Sequence, residues 1–241
     1  MDNSNIKEQY GRLKGAAWFP LLHKRDVMVL GQGGIGSWTS LLLSRIGVNL
    51  FTFDFDQYEA INLSGQLVRQ EDIGKKKTHA TKDIIAAFSP DAVVVTDDKY
   101  TEQSMSNEIV ICGFDNMVAR KTAFWNWVNL LGSMSESEKV NCFFQDGRLT
   151  AETFQILNIS GNRADLIEKY AKTYLFDDDV VPEAECSFKQ TSHTAAMIAG
   201  HMVGFLTNWA FNADRGKSIR TVPFYYEYVT ALNLTTNHDR L

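Results

Sequence analysis

Cysteine is scarce in this chain. Its 241 residues hold three, Cys112, Cys142 and Cys186, an odd number with no CxxC pair among them. That excludes a disulfide framework and half of a cysteine zinc site, and a reducing compartment is expected. Proline is rarer than its usual share, with only Pro20, Pro90, Pro182 and Pro223. No Pro-rich linker, repeat or low-complexity tract divides the chain, which reads as a single domain over 1–241. No stretch approaches the roughly 20 apolar residues of a membrane span. Met1-Asp2-Asn3-Ser4-Asn5 lacks the basic start and apolar centre of a signal peptide. A soluble cytoplasmic protein without membrane contact is expected. Positive charge is also in deficit: 24 basic against 29 acidic side chains leave −5, so no strong overall field draws in phosphate backbone and nucleic acid is not an expected partner.

Apolar and aromatic residues are plentiful. Forty-four per cent of the chain is hydrophobic, with 15 Phe, 8 Tyr and 5 Trp, enough to fill the core of a domain that buries roughly 70% or more of its unfolded surface. Short apolar runs at 26–30, 48–53, 92–96 and 109–112 read as strands, and helical spacing marks 37–46 and 77–88. Strands alternating with helices predict an α/β fold with a Rossmann-like, doubly wound, mostly parallel sheet. After residue 132 the pattern changes. Segments 140–145 and 152–159 flank Asp146-Gly147-Arg148, which predicts a turn between antiparallel strands and hence an antiparallel extension of the sheet. A helix at 163–175, an acidic loop at 177–185, a long helix at 192–211 and an aromatic strand at 222–230 complete the second half. The nucleotide-binding half is thus expected at 1–132, and a mixed-sheet half at 133–241 with a crossover loop at 176–192.

The strongest local signal follows the first strand. Gly31-Gln32-Gly33-Gly34-Ile35-Gly36 is a GxGxxG at the junction of a strand and a helix. Gly31 permits the tight turn, Gly33 a close approach of backbone to phosphate, and Gly36 the packing of helix on strand, with N-terminal amides facing the anion. About 20 residues beyond Gly33, where an acidic residue accepts from ribose hydroxyls, stands Asp54. A nicotinamide-dependent dehydrogenase and an ATP-using adenylyltransferase fit these features equally.

The next stretch separates them. Asp54-Phe55-Asp56 is followed by Asn62-Leu63-Ser64-Gly65-Gln66, then by Arg69-Gln70 and Gly74-Lys75-Lys76-Lys77, and later by Asp115-Asn116 with Arg120 downstream. Hydride transfer has no use for this series. Across nearly its whole length the chain resembles the ThiF/MoeB-like adenylyltransferases, the superfamily that includes the adenylation domains of ubiquitin-activating enzymes. Their pattern runs GxGGxG, DxD, NLxRQ, GxxK and DN with a later Arg. The small stand-alone ThiF-like proteins of mobile elements are the nearest in character. The resemblance implies an ATP- and magnesium-dependent enzyme that adenylates the C-terminal carboxylate of a ubiquitin-like or sulfur-carrier protein ending in glycine, working as a homodimer. It assigns nucleotide contacts to Gly31, Gly33, Gly34, Gly36, Asp54, Asp56, Asn62, Gln66, Arg69, Lys77 and Asn116. Lys77 and Asp115 become catalytic residues, with Asp115 holding the metal, and Cys186 becomes a candidate thiol for a thioester or persulfide step.

The chain departs from that pattern in two places. Gly65 stands where NLxRQ carries a phosphate-binding Arg, with Arg69 and Arg12 as the nearest replacements, Arg12 across a dimer. This leaves a second reading open, a non-catalytic subunit that keeps nucleotide or partner affinity. The CxxC pairs of many members are absent, so no zinc is expected. From the residues themselves, a Lys run at a helix start opposes the helix dipole and is best explained by a bound anion. Asp115 is a candidate cap for the following helix, and Arg120 a structural salt bridge. Arg148 is a candidate to point back over the nucleotide, and Trp125 and Trp127 read as packing residues.

Overall fold

The computed structural model describes residues 8–176 and 191–241. Cys186 and the acidic loop at 177–185 lie outside them. Eight strands form one sheet in the order β3-β2-β1-β4-β5-β6-β7-β8. They are β1 (Asp26–Leu30), β2 (Asn49–Phe53), β3 (Val94–Asp97), β4 (Ile109–Cys112), β5 (Phe143–Thr150), β6 (Thr153–Ser160), β7 (Pro223–Val229) and β8 (Leu234–Arg240). The first five are parallel, and from β5 onward each pair is antiparallel. The α/β, mostly parallel sheet with an antiparallel extension is therefore the one read from the pattern.

Helices cover both faces. On one lie α1 (Phe19–Leu22), α2 (Gly34–Ser44), α3 (Lys77–Phe88) and α7 (Ser192–Arg215). On the other lie α4 (Met117–Gly132), the short α5 (Glu136–Lys139) and α6 (Ala164–Thr173). This double cover is why the central strands read as unbroken apolar runs. In β1, Val27 and Val29 face the α2/α7 core, while Met28 and Leu30 face the α4/α6 core. Aromatic rings register the layers: Phe143 of β5 stacks on Trp209 of α7 at 4.7 Å between centroids, and Phe124 of α4 meets Tyr170 of α6 at 4.7 Å and Phe144 edge-on at 5.4 Å. Such pairs contribute about 1 kcal/mol each beyond their area.

Three differences from the sequence reading have clear causes. Asp146-Gly147-Arg148 is strand, not turn; β5 runs through it and reverses at Ala151 and Glu152, with Ala151 at φ 49°. Residues with turn chemistry sit there for another reason. A Cβ on Gly147 would lie 2.9 Å from Met202 Sδ and 3.2 Å from Ile35 Cδ1, so the glycine serves close packing, while Asp146 and Arg148 belong to a buried ion network. Helix α2 begins at Gly34, three residues before the expected start, because the glycines are themselves its first turn. Strand β8, Leu-Thr-Thr-Asn-His-Asp-Arg, is an exposed edge with no apolar alternation to reveal it.

Candidate nucleotide-binding site

The strand order reverses direction between β1 and β4, and ligands of open α/β sheets bind at the carboxyl ends of the strands at such a point. Both glycine-bearing motifs meet there. Gly31 takes φ 83°, and a Cβ on it would stand 2.9 Å from the carbonyl oxygen of Gly113, so the turns after β1 and β4 touch through backbone. A Cβ on Gly36 would fall 1.7 Å from the Gly31 oxygen, which no side chain can survive. Gly33 differs: its side-chain space is open, with only Gln66 Nε2 within reach at 3.9 Å. Gly33 caps the 11-residue α2 without a side-chain bond, leaving the first-turn amides to an outside acceptor.

The walls of this turn are tied down by residues from the 54–77 stretch. Asp54, nearly buried, accepts the Gln32 amide at 2.6 Å through Oδ2 and the Asp56 amide at 2.8 Å through Oδ1. Burial pushes its carboxyl above the ordinary range, against the pull of Lys77 and of those two amides. Gln32, unremarked in the sequence, is a staple. Its Nε2 donates to the carbonyls of Val29 and Gly31, its Oε1 accepts from Ser40, and its own carbonyl accepts from the buried Tyr58 hydroxyl. Only the motif's wildcard position marked it. Trp38 Nε1 donates to the Gly65 carbonyl at 3.4 Å and Ser37 Oγ accepts from the Leu67 amide at 3.1 Å, which straps 65–67 across α2. Gln66 is thereby held over the glycine turn, buried, with its Oε1 lacking any hydrogen-bond partner. An orphaned buried amide oxygen is costly; it calls for a donor, which a hydroxyl or amino group could supply and a phosphate oxygen could not. The Gln66 Nε2 that faces Gly33, by contrast, is a donor suited to a phosphate oxygen.

The cations are arranged less freely than the Lys run predicts. Lys77, the first residue of α3 and nearly buried, donates to Asp56 at 2.9 Å. Lys75 pairs with Asp72 at 2.9 Å, and Lys76 with Asp98. Carboxylates thus neutralise all three, and no bound anion is needed to explain them. Arg69, offered as a substitute for the missing Arg, is held by Asp72 at 2.7 Å and Glu71 at 2.9 Å. Asn62 closes a capping box, its Oδ1 accepting the Glu59 amide at 2.8 Å. Arg12 lies exposed on the 3-10 helix Glu8–Leu13.

On the other side of the crevice, α4 is capped by Asn116, whose side chain accepts the Ala119 amide at 2.8 Å. The cap is not Asp115. The Asp115 carboxylate is exposed at the helix entrance, with Asn116 Nδ2 donating to it at 3.3 Å. Among the described residues no three His, Cys, Asp or Glu side chains converge on a metal position. A hard cation that takes one carboxylate and completes its shell with phosphate oxygens and water fits this donor set.

Below Asp115 lies a cluster that sequence reading did not assemble. Asp146 is fully buried; Arg120 of α4 pairs with it, Arg148 donates to it at 2.8 Å, and Tyr170 of α6 donates its hydroxyl at 3.0 Å. Arg120 also donates to the Gly147 carbonyl at 3.1 Å, and Arg148 to the Tyr174 carbonyl at 2.7 Å. Arg148 therefore faces α6 and does not reach over the glycine turn. Trp127 is buried, whereas Trp125 is 48% exposed and meets the Phe124 ring edge-on at 5.1 Å.

A doubly wound sheet with an open glycine turn and a carboxylate across the switch point defines a Rossmann-like α/β class. Residues 15–217 match the model of the ThiF family, and the chain belongs to that family. It is 38% identical over 67 residues to ubiquitin-like modifier-activating enzyme 5 of Dictyostelium discoideum, covering 27% of this chain and 18% of the relative. To the Arabidopsis thaliana enzyme of that name it is 29% identical over 98 residues, 40% of this chain and 21% of the relative. The matched region is thus about a fifth of those proteins. Among solved structures the fold resembles selenomethionine PaaA, with TM-score 0.72 at 15% identity over 100% of this chain and 77% of that one. It also resembles E. coli MccB with ATP, with TM-score 0.65 at 15% identity over 100% and 74%. E. coli MccB with AMPCPP and MccA gives 0.66 at 16% over 98% and 72%.

Proposed function

We propose that the protein is an adenylyltransferase that binds ATP with magnesium at the Gly31–Gly36 turn and activates the C-terminal carboxylate of a peptide, ubiquitin-like or sulfur-carrier protein. One observation carries the reading: the open cradle over Gly33, roofed by the Gln66 amide nitrogen and faced across the switch point by Asp115. Membership in the ThiF family and the likeness to MccB, which has been solved with ATP and with AMPCPP and MccA, support it. The α2 amides would hold phosphate, and Lys77 would exchange its Asp56 partner for a phosphate oxygen. Asp115 would hold the metal, which supplies charge neutralisation at the departing pyrophosphate. The acceptor carboxylate attacks the α-phosphorus in line, and fixing both reactants supplies much of the rate. Cys186 remains the candidate for a later thioester or persulfide, and a homodimer would allow Arg12 to reach a neighbouring site.

Exchange of labelled pyrophosphate into ATP, with candidate C-terminal peptides present, tests this. Acceptor-dependent exchange that Asp115→Asn shifts to a higher magnesium requirement is the expected result. Failure to bind ATP by calorimetry, or a preference for NAD, overturns it. Gly65 in place of Arg, together with the engagement of Arg69 by Asp72, favours one second reading: a subunit that binds nucleotide without turnover and serves an active companion. Binding without exchange in any acceptor mixture is its signature.

A further inference from the structure

At the pole opposite the glycine turn, α7 ends in a basic loop. Met202 of this helix lies beside Gly147, whereas Trp209 stacks on Phe143 at the start of β5, so the helix runs toward the amino edge of the parallel strands. Gly216 ends it with φ 60°. Asn212 then pins the following residues: its Oδ1 accepts the amides of Ile219 at 3.0 Å and Arg220 at 2.8 Å, and its Nδ2 donates to the Arg220 carbonyl at 2.7 Å. Asn208 adds a bond to the Thr221 carbonyl at 3.1 Å. On this frame the guanidinium of Arg220 lies 4.1 Å from the Phe211 ring centroid and that of Arg215 5.6 Å.

These cations lack the close carboxylate that holds five of the other arginines. Among the described residues Arg12, Arg45 and Arg240 make no ion pair either, and what marks this loop is three cations within six residues, two of them stacked on one ring. Arg25, Arg69, Arg120, Arg148 and Arg163 each have a carboxylate within 3 Å. Arg215 has only its exposed neighbour Asp214 at 3.5 Å, and among the described residues Lys217 and Arg220 make no ion pair. Ile219 stands between them, 60% exposed. Stacking has already removed much of the arginine rotamer freedom, leaving the planar donor edge ready for an oxygen anion. We propose that the Arg215–Arg220 loop is a docking surface for an acidic segment of a protein partner, one that offers two or more carboxylates around an apolar side chain. Three cations around an exposed isoleucine in a chain of net charge −5 suit such a segment better than a nucleic-acid backbone, which binds through a longer run of phosphate contacts. The surface is separate from the adenylation site, and its failure would leave that reading untouched.

The test is fluorescence anisotropy of the full chain with a labelled peptide alternating Glu and Leu, against its Gln–Leu counterpart, an oligothymidine and phosphatidylserine vesicles. The Glu peptide should bind, the Gln peptide should not, and salt raised from about 50 to about 200 mM should weaken binding. Arg220→Gln should weaken it about fivefold and Lys217→Gln by about as much again, with thermal melting unchanged. Equal binding of both peptides, no binding of the Glu peptide, indifference to the double substitution, or tighter binding of oligothymidine or vesicles overturns the proposal.

Discussion

Replacing Asp54 by Asn tests whether this carboxylate organises the phosphate cradle. In the native protein both oxygens accept main-chain amides, from Gln32 at 2.6 Å and Asp56 at 2.8 Å, in a nearly buried position. Asparagine has one carbonyl oxygen, so one amide loses its acceptor and meets an NH2 group instead. A hydrogen bond to a charged acceptor is worth about 1.5–3 kcal/mol, and relief of the buried charge offsets part of its loss, for a net cost of about 2 kcal/mol. For a chain of this size that lowers the melting temperature by roughly 4–8 °C. The pH dependence carries a sign. Burial raises the native carboxyl above its unfolded value of 3.8, so the native state holds more proton just above that value. The contribution of Asp54 to stability therefore falls as pH rises through that window and then levels. Asp54→Asn should remove this slope, lower the melting temperature and weaken ATP binding together. A variant that melts within about one degree of wild type and binds ATP unchanged would show that the turn holds its shape without Asp54.

Lys77→Met should lower pyrophosphate exchange by on the order of a hundredfold or more, as loss of a preorganised donor does, while thermal melting changes little because Asp56 is half-exposed. Asp115→Asn should raise the magnesium concentration needed for half-maximal exchange with the melting temperature unchanged, since Asn116 caps α4. Gly65 has φ −133°, a backbone conformation that any residue adopts, and Gly65→Arg should increase exchange by about tenfold or more if phosphate lies beside it; an unchanged rate places the phosphates elsewhere. The Arg69 and Lys75 hydrogen bonds hold the Asp72 carboxyl down at about 2. The stability this supplies is complete above the unfolded value near 4 and is lost as pH falls toward 2. Acid unfolding followed by circular dichroism should show Arg69→Gln losing about 1 kcal/mol at neutral pH and nothing near pH 2, the ion pair being part-exposed.

The local parts of this molecule were legible because their signals are local. Gly31 to Gly36 needs no distant partner to announce a strand-to-helix turn, and the run Val110-Ile111-Cys112 announces a strand covered on both sides. The network around Asp146 was hidden because its members lie on β5, α4 and α6, and no periodicity links Arg120 to Asp146 or Tyr170. Asp146-Gly147-Arg148 imitates a turn because turns and tightly packed, charged strand ends call on the same residue types. The three lysines at the start of α3 point to an anion by charge alone, but Asp72 three residues from Lys75, and Asp56 and Asp98 about 20 residues from Lys77 and Lys76, reach them. The roof over Gly33 depends on Trp38 and Ser37 gripping 65–67, a tertiary bond pattern with no motif.

Gly147 sits where three helices converge: its missing side chain makes room for Ile35 of α2 and Met202 of α7, and its carbonyl receives Arg120 of α4. A single peptide unit of β5 thereby acts as a ruler between the two banks of the crevice, one bearing the glycine turn and the other Asp115. A methyl group added to that ruler would press on Met202 and Ile35, so the separation of the two banks is a property of the sheet's fifth strand.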